Sequence, residues 1–177
     1  MSRPTQPVRM MDADGGTMVG MAPAIEPDWH PDLKAFVAYW QTIRPGPGTL
    51  PGRRDVDPSR IVRLLPDVWM LDVQVEPFRL RYRLAGTRMV AMHGREITGL
   101  WLDEAHPDMP TTYFDRYRRV CETHAPSWRR GSPRLDPHSR AVTVIENVLL
   151  PLAADGRNVD ILFCLTKVNG PAGEMRF

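Results

Sequence analysis

The sequence predicts an α+β fold, an antiparallel sheet with helices packed over one face. Three features lead there. A period-two pattern runs through "DVWMLDVQVEPFRLRYRLAG", further strand-like runs gather at the end of the chain, and the residues between them carry helical spacing or glycine-marked bends. Strands grouped at both ends around a helical middle belong to an antiparallel sheet, because such a sheet with one apolar face buries it against helices. With 177 residues the chain supports one substantial core. The expected organisation is a flexible leader over 1–28, rich in Pro, Gly and Met, a single domain over 29–170 and a tail over 171–177.

The first ordered element is expected in "HPDLKAFVAYWQTIRPG", where Leu33, Phe36, Val37 and Trp40 form one apolar stripe at helical spacing before Pro45 and Gly46 stop it. This is an N-terminal amphipathic helix, able to cap its own sheet or to pair with a second copy. In "DPSRIVRLLP", Asp57 caps a short helix with Pro58 at its first position, and Ile61, Leu64 and Leu65 face inward. A hairpin follows. Trp69, Leu71, Val73 and Val75 alternate with Val68, Met70, Asp72 and Gln74, and Phe78, Leu80, Tyr82 and Leu84 alternate with the stripe Arg79, Arg81, Arg83. That stripe reads as a solvated sheet surface paired with Asp72 and Glu76 across the strands.

Farther on, "DMPTTYFDRYRRVCETHAP" places Tyr113, Tyr117, Val120, Cys121 and His124 at helical spacing, with Arg116, Arg118 and Arg119 on the other side. Strands return in "SWRRGSPRL", "RAVTVIENVLLPLA" and "NVDILFCLTKV", the last two joined by a turn in which Asp155-Gly156 suits positive backbone angles.

The composition excludes several functions. A balance of 23 basic against 21 acidic residues is too even for a chain that coats itself with nucleic acid. No run reaches the ~20 apolar residues of a membrane span, and the amino terminus lacks the apolar stretch of a signal peptide. Cys121 and Cys164 form no CxxC pair and read as reduced core thiols of a cytoplasmic protein. The glycines of "LAGTRMVAMHGREITGLWLDEAHPD" match neither a Walker loop nor a dinucleotide fingerprint. "DEAH" stands without the phosphate loop a helicase needs. Asp103, Glu104, His106 and Asp108 lack the alternating spacing of a calcium loop, so no metal is expected. No GxSxG nucleophile elbow occurs and both cysteines lie on apolar faces, so the chain is not read as an enzyme. Gly94 and Gly99 are placed to end successive short helices, turning Met89, Val90, His93, Ile97 and Trp101 inward over the sheet.

With these segments in order, a strand leading into "LAGTRMVAMHGREITGLWLDEAHPD" resembles the middle of PAS domains, and "LLPLAADGRNVDILFCLTKV" resembles their last hairpin. "LPGRRDVDPSRIVRLLPDVWMLDV" resembles the entry to a compact PAS-like family common in alphaproteobacteria, the likeness covering roughly Trp40 to Val168. The resemblance implies a five-stranded antiparallel sheet, helices over one face, and a pocket between them that serves sensing or protein association. Inward positions nominate Leu71, Tyr82, Met89, His93, Trp101, Tyr113, Tyr117 and Leu149 as ligand-binding residues. Plain core packing is the competing account of each. No cofactor is required by the sequence. No cysteine stands in a flavin-adduct motif such as NCRFLQ, and although His93 or His124 stands where a haem ligand would, a lone histidine on an apolar face is more simply a hydrogen-bonded core residue.

The expected role is therefore a cytoplasmic sensory or interaction module in signal transduction, acting as a homodimer or with a signalling partner and taking a small apolar or amphipathic ligand. The alternative is an arginine-rich adaptor for a nucleotide second messenger or nucleic acid, using Arg79, Arg81, Arg83, Arg129, Arg130 and Arg134 with Trp128 as a stacking platform.

Overall fold

A computed structural model of the chain describes residues 9–11, 17–19, 28–131, 144–170 and 173–174. Helix α1 (Pro31–Thr42) and a 3-10 run (Pro58–Asp67) precede strands β1 (Val68–Gln74) and β2 (Arg79–Ala85). Helices α2 (Thr87–His93), α3 (Leu102–Ala105) and α4 (Thr112–Thr123) follow. Strands β3 (Ser127–Gly131), β4 (Val144–Leu152) and β5 (Ile161–Gly170) complete an antiparallel sheet of spatial order β2-β1-β5-β4-β3. The Ser-Pro-Arg-Leu end of the expected third strand and the start of "RAVT" lie outside the described residues. Within the expected leader, Arg9–Met11 and Thr17–Val19 pair antiparallel.

The register assigns each side chain to a face. Trp69 lies opposite Cys164, which lies opposite Leu149, and Leu71 lies opposite Tyr82 and Leu162, so these residues share one face, roofed by α2, α3 and α4. Val68, Met70, Phe163, Leu165 and Lys167 occupy the other, against α1 and the 3-10 run. Both faces are therefore covered. In β4 every residue from Ile145 to Leu152 is buried, and in β5 every residue from Ile161 to Lys167, which explains why these strands read as nearly unbroken apolar runs.

Helix α1 forms as its sequence dictates. Pro31 fits the first turn, and the His30 ring Nδ1 accepts from the Asp32 amide at 3.1 Å, satisfying one of the unpaired donors of a helix start. Its stripe of Leu33, Phe36, Val37 and Trp40 is wholly buried on its own sheet, with the Phe36 ring 4.3 Å from Phe163 and Trp40 Nε1 donating to the Pro151 carbonyl at 3.0 Å. The 3-10 run begins as predicted, Asp57 accepting from the Ser59 amide at 2.9 Å, but a kink at Ile61 keeps it from becoming α-helical. The Tyr39 hydroxyl binds both the amide and the carbonyl of Asp57, fastening this run to α1.

Two buried ionic groups join the back layer to the sheet. Lys167 Nζ lies 3.1 Å from Asp32 of α1 and 3.0 Å from Asp67 at the end of the 3-10 run, and Arg63 and Arg88 hold the outer sides of those carboxylates. Glu146, fully buried, accepts from the His30 amide, from Trp128 Nε1 and from the Arg130 guanidinium. The Trp29 ring stacks on Trp128 at 5.1 Å beside it.

Gly94 has φ +65 and ends α2 as expected, while Gly99, φ +87, bends the chain ahead of α3 instead of ending a helix. That bend lays Gly99 and Leu100 along the free edge of β2, exchanging hydrogen bonds with Tyr82 at 2.7 and 2.9 Å. Gly86 serves close approach: a Cβ there would strike the carbonyl oxygens of Leu65 and Pro66.

Two stability changes follow. Lys167→Met leaves each of two buried carboxylates with only an outer, more exposed arginine and is expected to lower unfolding free energy by about 2 kcal/mol, read from urea denaturation. Gly86→Ala, with an exposed Ala35→Gly change in α1 as a comparison of ordinary size, is expected to cost about 2 kcal/mol or more, because backbone and not a flexible side chain must move.

Candidate functional site

The layer between the sheet and helices α2 to α4 is apolar at its centre and holds a buried polar set, Arg116 with Ser127 and Asn147, under α4. Leu71, Leu149, Leu162 and Cys164 form its floor with no exposure, and Tyr117 and Val120 descend from α4. Into it project the hydroxyl of Tyr82 from β2 and two imidazoles, His93 at the end of α2 and His106 just after α3. The Tyr82 hydroxyl lies 2.9 Å from His106 Nε2. The His93 ring stands 5.0 Å from that of His106, and its Nδ1 lies 2.6 Å from the Met89 carbonyl.

The electrostatics keep Tyr82 and His106 neutral. Burial, then the nearby His93 and Arg95, push the His106 pKa down to about 4, and burial raises the Tyr82 hydroxyl well above its ordinary value. A neutral imidazole and a protonated phenol share one hydrogen bond with no ion to solvate. Both thiols are equally quiet: burial lifts Cys121 to about 12 and raises Cys164. Neither has the lowered pKa of a nucleophile.

Of the residues expected at the site, Leu71, Tyr82, Met89, Tyr117 and Leu149 converge in this layer and His93 lies at its edge. Tyr113 is half-buried under the Arg129 guanidinium. Trp101 is carried to the rim, where its ring lies 4.2 Å beneath the Arg79 guanidinium. Packing side chains fill this layer. Sequence reasoning assigned His106 to an acidic run, yet it is the direct partner of Tyr82, and only the fold brings together two residues 24 positions apart.

The chain's resemblance can now be tested against known families. The family model for the PAS domain matches residues 29–166. The chain belongs to the PAS domain family. No curated protein and no solved structure matches it. PAS domains are typically sensory, non-enzymatic modules that commonly mediate dimerisation or partner interaction, and among the described residues of this PAS domain no helix is long and apolar enough to cross a membrane. No group of three or more His, Cys, Asp or Glu side chains is gathered for a metal among those residues.

The arginines behave differently from an anion-binding patch. Arg79 pairs with Asp103 at 2.9 Å, Arg83 with Asp72 at 2.9 Å, and Arg130 with Glu146 at 2.8 Å, while Arg81 donates to the Gly99 carbonyl. Asp72 and Glu146 thus each hold an arginine of their own. Arg116, expected on the solvated side of α4, is buried and donates to Ser127 and Asn147. Arg134 lies outside the described residues.

The buried neutral His106 has a consequence for stability. Its folded pKa lies below that of the unfolded chain, so the unfolded state binds more protons as pH falls, and the stability it contributes, complete above about 6.5, is lost toward pH 4. The melting temperature should drop over that range, and His106→Leu should lessen the drop. Identical pH profiles for the two proteins would contradict this.

Proposed function

We propose that this PAS domain is a cytoplasmic signal-transduction module whose sensing side is the layer under α2, α3 and α4. There it takes a small apolar or amphipathic ligand, and it passes the change to a second copy of the chain or to a signalling partner. The module is taken to span residues 29–170, with 1–28 and 171–177 outside it.

The observation that supports this reading most is the Tyr82–His106 hydrogen bond beside the apolar centre of the layer, formed by Leu71, Leu149, Leu162 and Cys164. A small-molecule site is mostly apolar with a few polar groups that fix orientation, and this pair with His93 supplies such groups. The roof is also made of pieces that yield cheaply. Helix α2 has 7 residues and α3 has 4, and the turn between them carries Gly94 and Gly99 at positive φ. Short elements with little packing of their own are the parts of a fold that open at lowest cost.

Because side chains fill the layer, a ligand enters only by displacing them. That requirement links binding to helix position: a ligand that binds the opened arrangement better shifts the population toward it, by no more than its difference in affinity. The anion-adaptor alternative has less support, since Arg79, Arg83 and Arg130 already hold carboxylates of their own chain.

Native mass spectrometry of the full chain, purified without denaturant, tests the proposal. A retained small molecule or a dimer is expected, and His106→Leu should lose the small molecule while keeping its far-UV circular dichroism. A bare monomer from the unaltered protein, together with no change in melting temperature across a panel of apolar and amphipathic compounds, would overturn the proposal.

A further inference from the structure

The opposite face of the sheet carries a second feature, independent of the sensing layer. A cavity of about 410 Å³ lies between the 3-10 run and the β1–β2 edge of the sheet. Val56, Ile61 and Leu65 line one side, Met70 and Phe163 form the floor, and Leu84 closes the edge. Small-molecule sites are commonly about 300 to 1,000 Å³ and largely apolar, so size and lining both fit. Gly86 keeps the wall close, because a side chain there would collide with the Leu65 and Pro66 carbonyls.

Two observations say what would occupy it. The first is exposed apolar surface at the rim: Val62 is 62% and Leu84 38% exposed, two of the three large hydrophobic residues left in solvent among the described residues. The second is a single charge in the wall. Arg53 lines the cavity, its Nη1 donates to the Val56 carbonyl at 3.3 Å, and it forms no ion pair among the described residues. The neighbouring arginines on this side, Arg63 and Arg88, are each spent on a buried carboxylate. An apolar cleft with one uncommitted guanidinium is complementary to an apolar body ending in one anion, since a guanidinium grips a carboxylate through paired donors.

We propose that this cleft binds an amphipathic aliphatic carboxylate of medium length. An apolar protein cavity of about 150 Å³ takes one six-carbon benzene, so a volume of about 410 Å³ has room for a chain of ten carbons and more. The chain lies along Val62, Leu65 and Leu84, above the covered floor of Met70 and Phe163, and its carboxylate meets Arg53. The site is separate from the layer around His106, because the sheet itself stands between them and successive residues, such as Met70 and Leu71, point to opposite sides.

Decanoate titrated into the full chain by calorimetry, with decanol and acetate as comparison probes, tests the assignment. One-to-one binding of decanoate is expected, with decanol about tenfold weaker for want of the charge-assisted contact and acetate silent for want of an apolar body. Arg53→Gln should weaken decanoate about tenfold, to the level of decanol, and leave decanol unchanged. Leu84→Trp, at a half-exposed position, should fill the cleft and abolish both; Val62→Trp serves as a second filling variant should the first lose its native circular dichroism. His106→Leu should leave decanoate binding intact. No binding up to about millimolar decanoate, a Kd near that of a nonspecific surface, overturns the proposal. So does binding that Arg53→Gln and the filling variants leave unchanged, binding abolished by His106→Leu, or a cleft that Leu84→Trp affects only through self-association of the chain.

Discussion

The back layer of this PAS domain depends on where one ammonium group goes. Lys167, on β5, is shared between Asp32 at the start of α1 and Asp67 at the end of the 3-10 run. Sequence distances of 135 and 100 residues separate it from these partners, so the contact cannot form until the sheet does. Apolar burial alone would hold α1 and the 3-10 run against Phe163 and Leu165 in many orientations, because it is non-directional. A buried ammonium tolerates few, since each misplacement leaves a charge without a partner in a poorly solvating interior. Glu146 does the same at the other end of the layer, tying the entry of α1 to β3 and β4 through His30, Trp128 and Arg130.

These anchors also mark how far the sequence could be read. The stripe of α1, the Asp57 cap, the β1–β2 hairpin and the positive φ of Gly94 and Gly156 rest on local signals, and each is present where those signals put it. Lys167, Glu146 and Arg116 could not be assigned in this way. Periodicity states that a residue faces one side of an element; it does not state what waits there. Arg116 stands on the charged side of its helix by composition, yet that side meets Ser127 and Asn147. His106 was hidden for the same reason, its partner being a tyrosine on an edge strand. The bends at Gly94 and Gly99 are expected to turn Trp101 inward, but two arginines on β2 offer its ring a cationic cover at the rim.

One irregularity in the sheet lets a single strand serve both of its layers. Between Met70 and Leu71 the pairing of β1 with β2 slips: Met70 lies opposite Leu84, Leu71 opposite Tyr82, and Arg83 is left over. A bulge of this kind inserts a residue into one strand and bends it locally. Here it falls where Leu84, at the edge of the back cleft, and Met70, in its floor, adjoin Leu71 and Tyr82 of the front layer. Leu84 and Tyr82 are separated by Arg83 alone, whose side chain is held outward by Asp72. At such an irregularity the regular ladder is interrupted, which lets Leu84 and Tyr82, two positions apart on one strand, serve opposite faces of the sheet.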